Sequence, residues 1–382
     1  LKICIVGEMG YLGWNTALYL ARKGHKVVGF DNFLRERLVR EEGSESLTPI
    51  KGPEERIKVA KEVLGVDIGF EFGDCLDYDF LRYFLRKHKP EAIVHYGEIP
   101  SAPYSMKGAE EARLTQYNNV IGTLNILWAM REIVPNAHLV KLGTMGEFGT
   151  PNIDILDGGM LPVKLRGRKD TLPFPKQPGS FYHVTKPQDT INIQFACKVW
   201  GLKSTDLQQG PVFGVKTQET RKDYRLLSRF DYDGVWGTVI NRYCVQAIAG
   251  LPLSPYGKGF QIRGFIYIED TLRCVELSIL NPPKQGEYRS FNQFFELWKV
   301  NDLAVKVKEV CEEKGIKVNI KNIENPRVEA EKHYYNPENK YLLELGVKPH
   351  KLADMLPVFI DDLLPFKHRI RPEVIEPKVK WR

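Results

Sequence analysis

Residues 2–14, KICIVGEMGYLGW, decide the fold. The apolar run Ile3 to Val6 has the character of a strand, it stops at Gly7, and Gly10 and Gly13 complete the spacing G-x-x-G-x-x-G just as a helix-type stretch, Trp14 to Arg22, begins. With 32 glycines in the chain the spacing alone would be weak. Its place, after a strand and ahead of a helix, gives it content: missing side chains let a pyrophosphate approach the backbone, and the helix N-terminus favours the anion. Tyr11 and Leu12 lie inside the motif and join the candidate cofactor contacts. Asp31 follows the next apolar run, Val27 to Phe30, and Asn32 follows Asp31. A carboxylate at that strand end would accept hydrogen bonds from ribose hydroxyls and repel a 2′-phosphate, which favours NAD over NADP. Arg35 and Arg37 nearby leave NADP open.

Working outward, strand-type runs continue at Phe70 to Phe72, Ala92 to Tyr96 and Leu139 to Leu142, with helix-type stretches at Glu54 to Leu64, Tyr78 to Arg86 and Ala109 to Arg131. Such alternation predicts a doubly wound parallel sheet. Asp74 and Cys75, after the third run, fit an adenine-contacting position, and Asp74 could equally cap the following helix. The rhythm breaks in a Pro- and Gly-rich segment from Gly149 to Gly179, expected to be a loop, before a helix at Tyr182 to Trp200. Shorter elements after that predict a smaller mixed α/β lobe, so the division expected is 1–211 for the nucleotide and 212–382 mainly for the substrate, with some segments returning to the first domain.

Composition excludes several classes. The hydrophobic fraction of 43% and charged fraction of 27% are those of a globular chain, and no apolar run approaches the roughly 20 residues that span a bilayer. The net charge of +7 comes from basic residues interspersed with acids, which predicts no nucleic-acid partner and leaves an anionic small molecule. Six scattered cysteines lack CxxC pairs and histidine partners at zinc spacing, so they are expected as buried reduced thiols, with no metal. The chain opens directly into LKICIVG with no signal-like segment, from which a cytoplasmic location is expected.

Tyr-x-x-x-Lys, a spacing that puts both side chains on one helix face, occurs at Tyr19/Lys23, Tyr83/Lys87 and Tyr182/Lys186. The first lies on the helix after the glycine motif and the second on a peripheral crossover helix. The third follows Thr144 by 38 residues, and Thr144 stands at the carboxyl end of the fifth strand, where α/β sheets bind ligands. Three polar groups can there converge on one hydroxyl.

That constellation resembles the extended short-chain dehydrogenase/reductase family over essentially the whole chain, which implies a Rossmann-type doubly wound sheet and NAD. The resemblance makes Tyr182 the base for an alcohol proton, with Lys186 binding the nicotinamide ribose and lowering the tyrosine pKa, and Thr144 bonding the reacting oxygen. A phenol ionising near about 10 needs such a positive neighbour to work near neutrality. Members that dehydrate sugars across C5 and C6 carry Asp-Glu after the threonine. Here Met145 and Gly146 stand there, with Glu147 next.

Longer strings, ESLTPI (45–50), SAPYSM (101–106), NNVIGTLN (118–125), LVKLGTMGEFGTPNIDI (139–155), DTLPFPKQPGSFYH (170–183) and NPRVEAEKHYYN (325–336), resemble the branch of that family that joins sulfite to UDP-glucose. One departure is Ile99-Pro100, where the plant-type pattern has Gln-Arg, so this chain lacks any anion contact made by that arginine. The resemblance implies oxidation at C4, loss of water to a 4-keto-5,6-ene, sulfite addition at C6 and reduction at C4. Glu147 and His183 are the candidates for moving the C5 proton and protonating the leaving hydroxyl, while Met145 can only shape the pocket. Asn118 or Asn119 is expected to order the active-site helix or the sugar pocket. Gln209, Arg263 and Arg327 are expected on sugar or diphosphate, for which the guanidinium fork suits. A homodimer through the helices around 109–131 and 182–200 is implied, and a sulfite-delivering protein is left open as a partner. The alternatives are a UDP-hexose 4-epimerase, sharing Tyr182, Lys186 and NAD, and a non-catalytic NAD-binding module.

Overall fold

The computed structural model describes residues 1–330 and 332–381. Its first half follows the alternation read from the sequence: β1 (Lys2–Val6), α1 (Tyr11–Arg22), β2 (Lys26–Asp31), α2 (Leu34–Glu41), α3 (Pro53–Leu64), β3 (Ile68–Phe72), α4 (Tyr78–His88) and β4 (Ala92–His95). Then come α5 (Ala102–Ser105), α6 (Ala109–Gln116), α7 (Gly122–Ile133) and β5 (His138–Thr144). The stretch expected as one helix from Ala109 to Arg131 is interrupted at Tyr117–Ile121 by a π-helical turn. Such bulges concentrate at functional sites, and this one carries Asn118 and Asn119.

Gly149 to Gly179 is not all loop. It contains an antiparallel hairpin, β6 (Met160–Leu165) and β7 (Arg168–Pro173), joined through Arg166-Gly167. Both strands lie mostly exposed: β6 half-buries only Leu161 and Val163 and β7 buries nothing, so the hairpin offers too short an apolar alternation to announce a strand pair. After α8 (Phe181–Trp200) follow β8 (Lys203–Gln209), β9 (Val212–Phe213), α9 (Val239–Ala249), β10 (Ile262–Tyr267), α10 (Ile268–Leu280), β11 (Tyr288–Gln293), β12 (Glu296–Lys299), α11 (Val300–Glu313), α12 (Lys340–Glu344) and α13 (Leu352–Leu363).

The main sheet has seven parallel strands in the order β11-β8-β5-β4-β1-β2-β3. Strand order reverses between β1 and β4, the crevice where open α/β sheets bind ligands. β9, β10 and β12 form a second, mixed sheet. One apolar cluster, including Ile3, Trp14, Leu207, Phe213, Ile266 and Phe359, runs from the main sheet into the second lobe. Another fills the opposite face through Cys4, Phe30, Phe84, Leu127 and Ile193. All six cysteines are free and buried, and no helix among the described residues is long and apolar enough to cross a membrane.

Candidate active site

One cavity of about 730 Å³ follows the strand ends from the glycine motif to the second lobe, within the range of ligand pockets. Gly7, Gly10, Tyr11, Leu12 and Gly13 line its floor. A Cβ on Gly13 would sit 2.0 Å from the Gly7 carbonyl oxygen, and one on Gly7, whose φ is +78°, would sit 3.0 Å from the Gly97 nitrogen. Only glycine lets β1, α1 and the chain after β4 approach so closely, and this cradle fits the pyrophosphate of a dinucleotide. Asp31 and Asn32 line the same end. Asp31 accepts hydrogen bonds from the Met9 and Phe33 amides at 3.0 and 2.8 Å, so it braces the glycine loop as well as facing the cavity. Cys75 lines the cavity, but Asp74 does not: it accepts from Asn32 Nδ2 and the Leu76 amide, both at 2.8 Å. Nor does Asp74 cap α4, a place taken by Asp77.

The other two Tyr-x-x-x-Lys pairs lie off the cavity lining. Tyr19 donates to Glu276 at 2.6 Å, and Tyr83 is exposed. At the centre, Thr144, Tyr182 and Lys186 face one space. Ser180 starts α8 by accepting the His183 amide hydrogen, so Tyr182 and Lys186 project from the first two turns. Lys186 Nζ is 5.4 Å from the Tyr182 ring centroid and donates to the Leu142 carbonyl at 3.0 Å. Its closest partner is Glu98, a residue that no motif in the sequence singles out. The available signal was a charged residue in the short loop after strand β4, at the ligand-binding edge of the sheet.

His183 also lines the cavity. Its Nδ1 is 3.0 Å from Ser180 Oγ, and a Cβ on Gly146 would lie 2.3 Å from its Nε2, so the glycine makes room for the imidazole. Burial, then Arg327 and Arg263, bring its pKa down to about 3, which leaves it neutral. Glu147 is fully buried behind the cavity wall, with one carboxylate oxygen paired to Lys176 and the other without a partner. Burial raises its pKa to about 7 against the pull of Lys176. Met145 lines the wall and packs with Phe148, Ile155, Phe174 and Phe294.

The two asparagines divide their work. Asn118 faces the cavity. Asn119 instead holds the backbone N–H and carbonyl of Ile99, at 2.8 and 3.1 Å, and donates to Thr185 Oγ1 at 3.2 Å, tying the chain after β4 to α8. Ile99 itself is buried against Leu38, Tyr104 and Trp236.

At the far end Gln209, Arg263 and Arg327 line the cavity. Gln209 Nε2 donates to Thr271 and Gln293 at 2.6 and 2.9 Å, Arg263 pairs with Glu329 at 2.6 Å, and the Arg327 guanidinium lies 5.2 Å from the Trp381 ring centroid. Arg242, bonded to Tyr256 at 2.7 Å, adds a cation to this wall that the sequence did not single out.

Residues 3–292 match the NAD dependent epimerase/dehydratase family. Across the whole chain the sequence is 48% identical to the UDP-sulfoquinovose synthase of Sulfolobus acidocaldarius, covering 98% of that protein. It is equally 48% identical to the chloroplastic UDP-sulfoquinovose synthase of Spinacia oleracea, covering 79% of it. A UDP-glucose 4-epimerase of Rhizobium leguminosarum bv. trifolii is 33% identical over 44% of this chain and 43% of its own. Among solved structures, the UDP-glucose 4-epimerase of Bifidobacterium longum in complex with NAD+ and UDP superposes with a TM-score of 0.71 at 14% identity, covering 97% of this chain and 98% of that one.

Proposed function

Because the chain belongs to the NAD dependent epimerase/dehydratase family, and within it matches UDP-sulfoquinovose synthases along its full length, we infer that it forms UDP-6-sulfoquinovose from UDP-glucose and sulfite. The observation that carries the site assignment is the convergence of Thr144, Tyr182, Lys186 and His183 on one cavity that begins at the glycine cradle.

Gly7, Gly10, Tyr11, Leu12, Gly13, Asp31, Asn32 and Cys75 would hold NAD, which when bound supplies a hydride acceptor and donor for C4 of the sugar and is restored each cycle. Tyr182 takes the C4 hydroxyl proton and later returns it, and Thr144 hydrogen-bonds the same oxygen. The resulting ketone acidifies C5-H. Glu147 titrates in the range needed to move that proton, and His183 has the place on the cavity wall. Loss of the C6 hydroxyl gives the enone to which sulfite adds. Gln209, Arg263, Arg327 and Asn118 hold the UDP-sugar. Residues 1–211 carry the dinucleotide and 212–382 mainly the UDP-sugar, with β11 returning to the main sheet.

Two copies of the chain are proposed to pair through α7 and α8. Ile191, Phe195 and Val199, spaced four apart, form one exposed apolar stripe on α8, and Tyr117 and Trp128 lie exposed on the neighbouring segment.

The test is optical. UDP-glucose added to the NAD-loaded protein should produce reduced-nicotinamide absorbance, and sulfite should then discharge it. Reduction that sulfite never discharges would contradict the synthase reading.

A further inference from the structure

Glu98 stands three residues beyond the end of β4, lines the cavity, and yet has a side chain only 4% exposed. Its carboxylate is held by two ammonium groups at once, Lys186 Nζ on one oxygen and Lys141 Nζ on the other. Thr123 Oγ1 donates to it at 3.3 Å, and His95 Nε2 lies 3.7 Å away. Lys141, on β5 and 1% exposed, reaches Asp189 Oδ2 at 3.0 Å. Asp189 in turn lies three residues beyond Lys186 on α8, so both sit on one helix face. Lys186, Glu98, Lys141 and Asp189 therefore form a chain of ionisable groups running from the cavity into the core.

Buried ion pairs of this kind are seldom worth their desolvation as simple struts. This one ends on the lysine of the Tyr-Lys pair. We propose that Glu98 is a positioning residue for the reaction, holding the Lys186 ammonium beside Tyr182 and setting the net charge under which Tyr182 gives up and takes back its proton. The proposal rests on Tyr182 being the base for the C4 hydroxyl.

The groups facing this point are few. Burial holds both His95 on β4 and His183 on α8 near about 3, so both are neutral. Burial also raises the Asp189 carboxyl, against the pull of Lys141. Glu98 goes the other way: burial pushes it up, but Lys141 and Lys186 together pull it well below the usual carboxylate range. Asp206 on β8 acts on Lys141, Glu147 pairs with Lys176 beyond Thr144, and Arg263 and Arg327 act on His183. Glu98 is thus the fixed negative charge in contact with Lys186. Removing it makes the surroundings of the phenol more positive and favours phenolate at lower pH. Removing Lys141 does the reverse.

The experiment measures the pH profile of NAD reduction by UDP-glucose in the holoenzyme for wild type, Glu98→Gln, Lys141→Met and the double variant. The midpoint should fall by about one pH unit in the first variant, rise by about one unit in the second, and return near wild type in the double, as expected for opposite charges removed one at a time beside the lysine that neighbours the phenol. Glu98→Gln leaves Lys141 short of a partner and can impair folding, and Lys141→Met carries the same test with opposite sign. Profiles that overlay wild type, or that move in the same direction in both single variants, would overturn the proposal. A wild type that never reduces NAD with UDP-glucose would instead break the reaction reading. In that case a titration of phenolate absorbance, wild type minus Tyr182→Phe, in each background would still decide whether Glu98 and Lys141 act on Tyr182.

Discussion

Two buried carboxylates flank the Tyr182 end of α8, and they behave oppositely. Glu98, on the lysine side, is shared by two cations and stays ionised despite its burial. Glu147, on the histidine side, has one cation, Lys176, and an unpartnered oxygen, and its pKa rises to about 7. Burial is common to both, so the surrounding charges decide the outcome: two lysines in direct contact hold Glu98 down, whereas at Glu147 Asp206 adds to burial against the pull of Lys176 and Lys186. One carboxylate is a fixed charge that orients machinery, and the other can exchange a proton near neutral pH. Environments that push paired titratable groups apart are how one site runs steps of different acid–base demand.

The comparison can be broken in three ways. Tyr182→Phe removes the group that Lys186 and Glu98 serve, and C4 oxidation should fall roughly 10²–10⁴-fold, with UDP-glucose binding retained in a calorimetric titration. Full turnover would end the assignment. Glu147→Gln tests the other side through exchange of the C5 hydrogen with solvent deuterium, followed by mass. As a base Glu147 must be deprotonated, so wild-type exchange should rise with pH through about 7. The variant should lose that rise and about 10² in rate. Wild-type exchange in Glu147→Gln, together with its loss in His183→Ala, would mean that position on the cavity wall matters more than titration range. Lys176→Met removes the cation in contact with Glu147 and leaves Asp206 and burial opposed only by Lys186, so the carboxyl should hold its proton more tightly, moving the exchange midpoint up by about one pH unit. An unmoved midpoint would show that Lys176 does not govern Glu147.

The nucleotide end was legible because local spacing specifies it. A strand, three glycines, a helix and an acid after the next strand are read along one contiguous stretch, and the backbone itself makes the cradle. The Tyr-Lys pair was legible for the same reason, once Thr144 singled it out from two others. Less local features were harder. The hairpin β6–β7 half-buries only Leu161 and Val163, too little of an inward face to stand out as a pattern. Asp74, expected at the adenine, lies off the cavity lining and accepts hydrogen bonds from Asn32 and the Leu76 amide. Glu147 was chosen by its closeness in sequence to Thr144, whereas its carboxylate lies behind the wall. Glu98 was missed because its partners lie at Lys141 and Lys186, 43 and 88 residues away, and only the sheet order brings β4 and β5 together beneath α8.

The most direct test of the whole account is the mass of the product when UDP-glucose is incubated with the purified NAD-loaded protein, with and without sulfite. A sulfonated UDP-hexose formed only when sulfite is present is the predicted result. An unchanged mass, with the sugar converted to its C4 epimer whether or not sulfite is added, would contradict it.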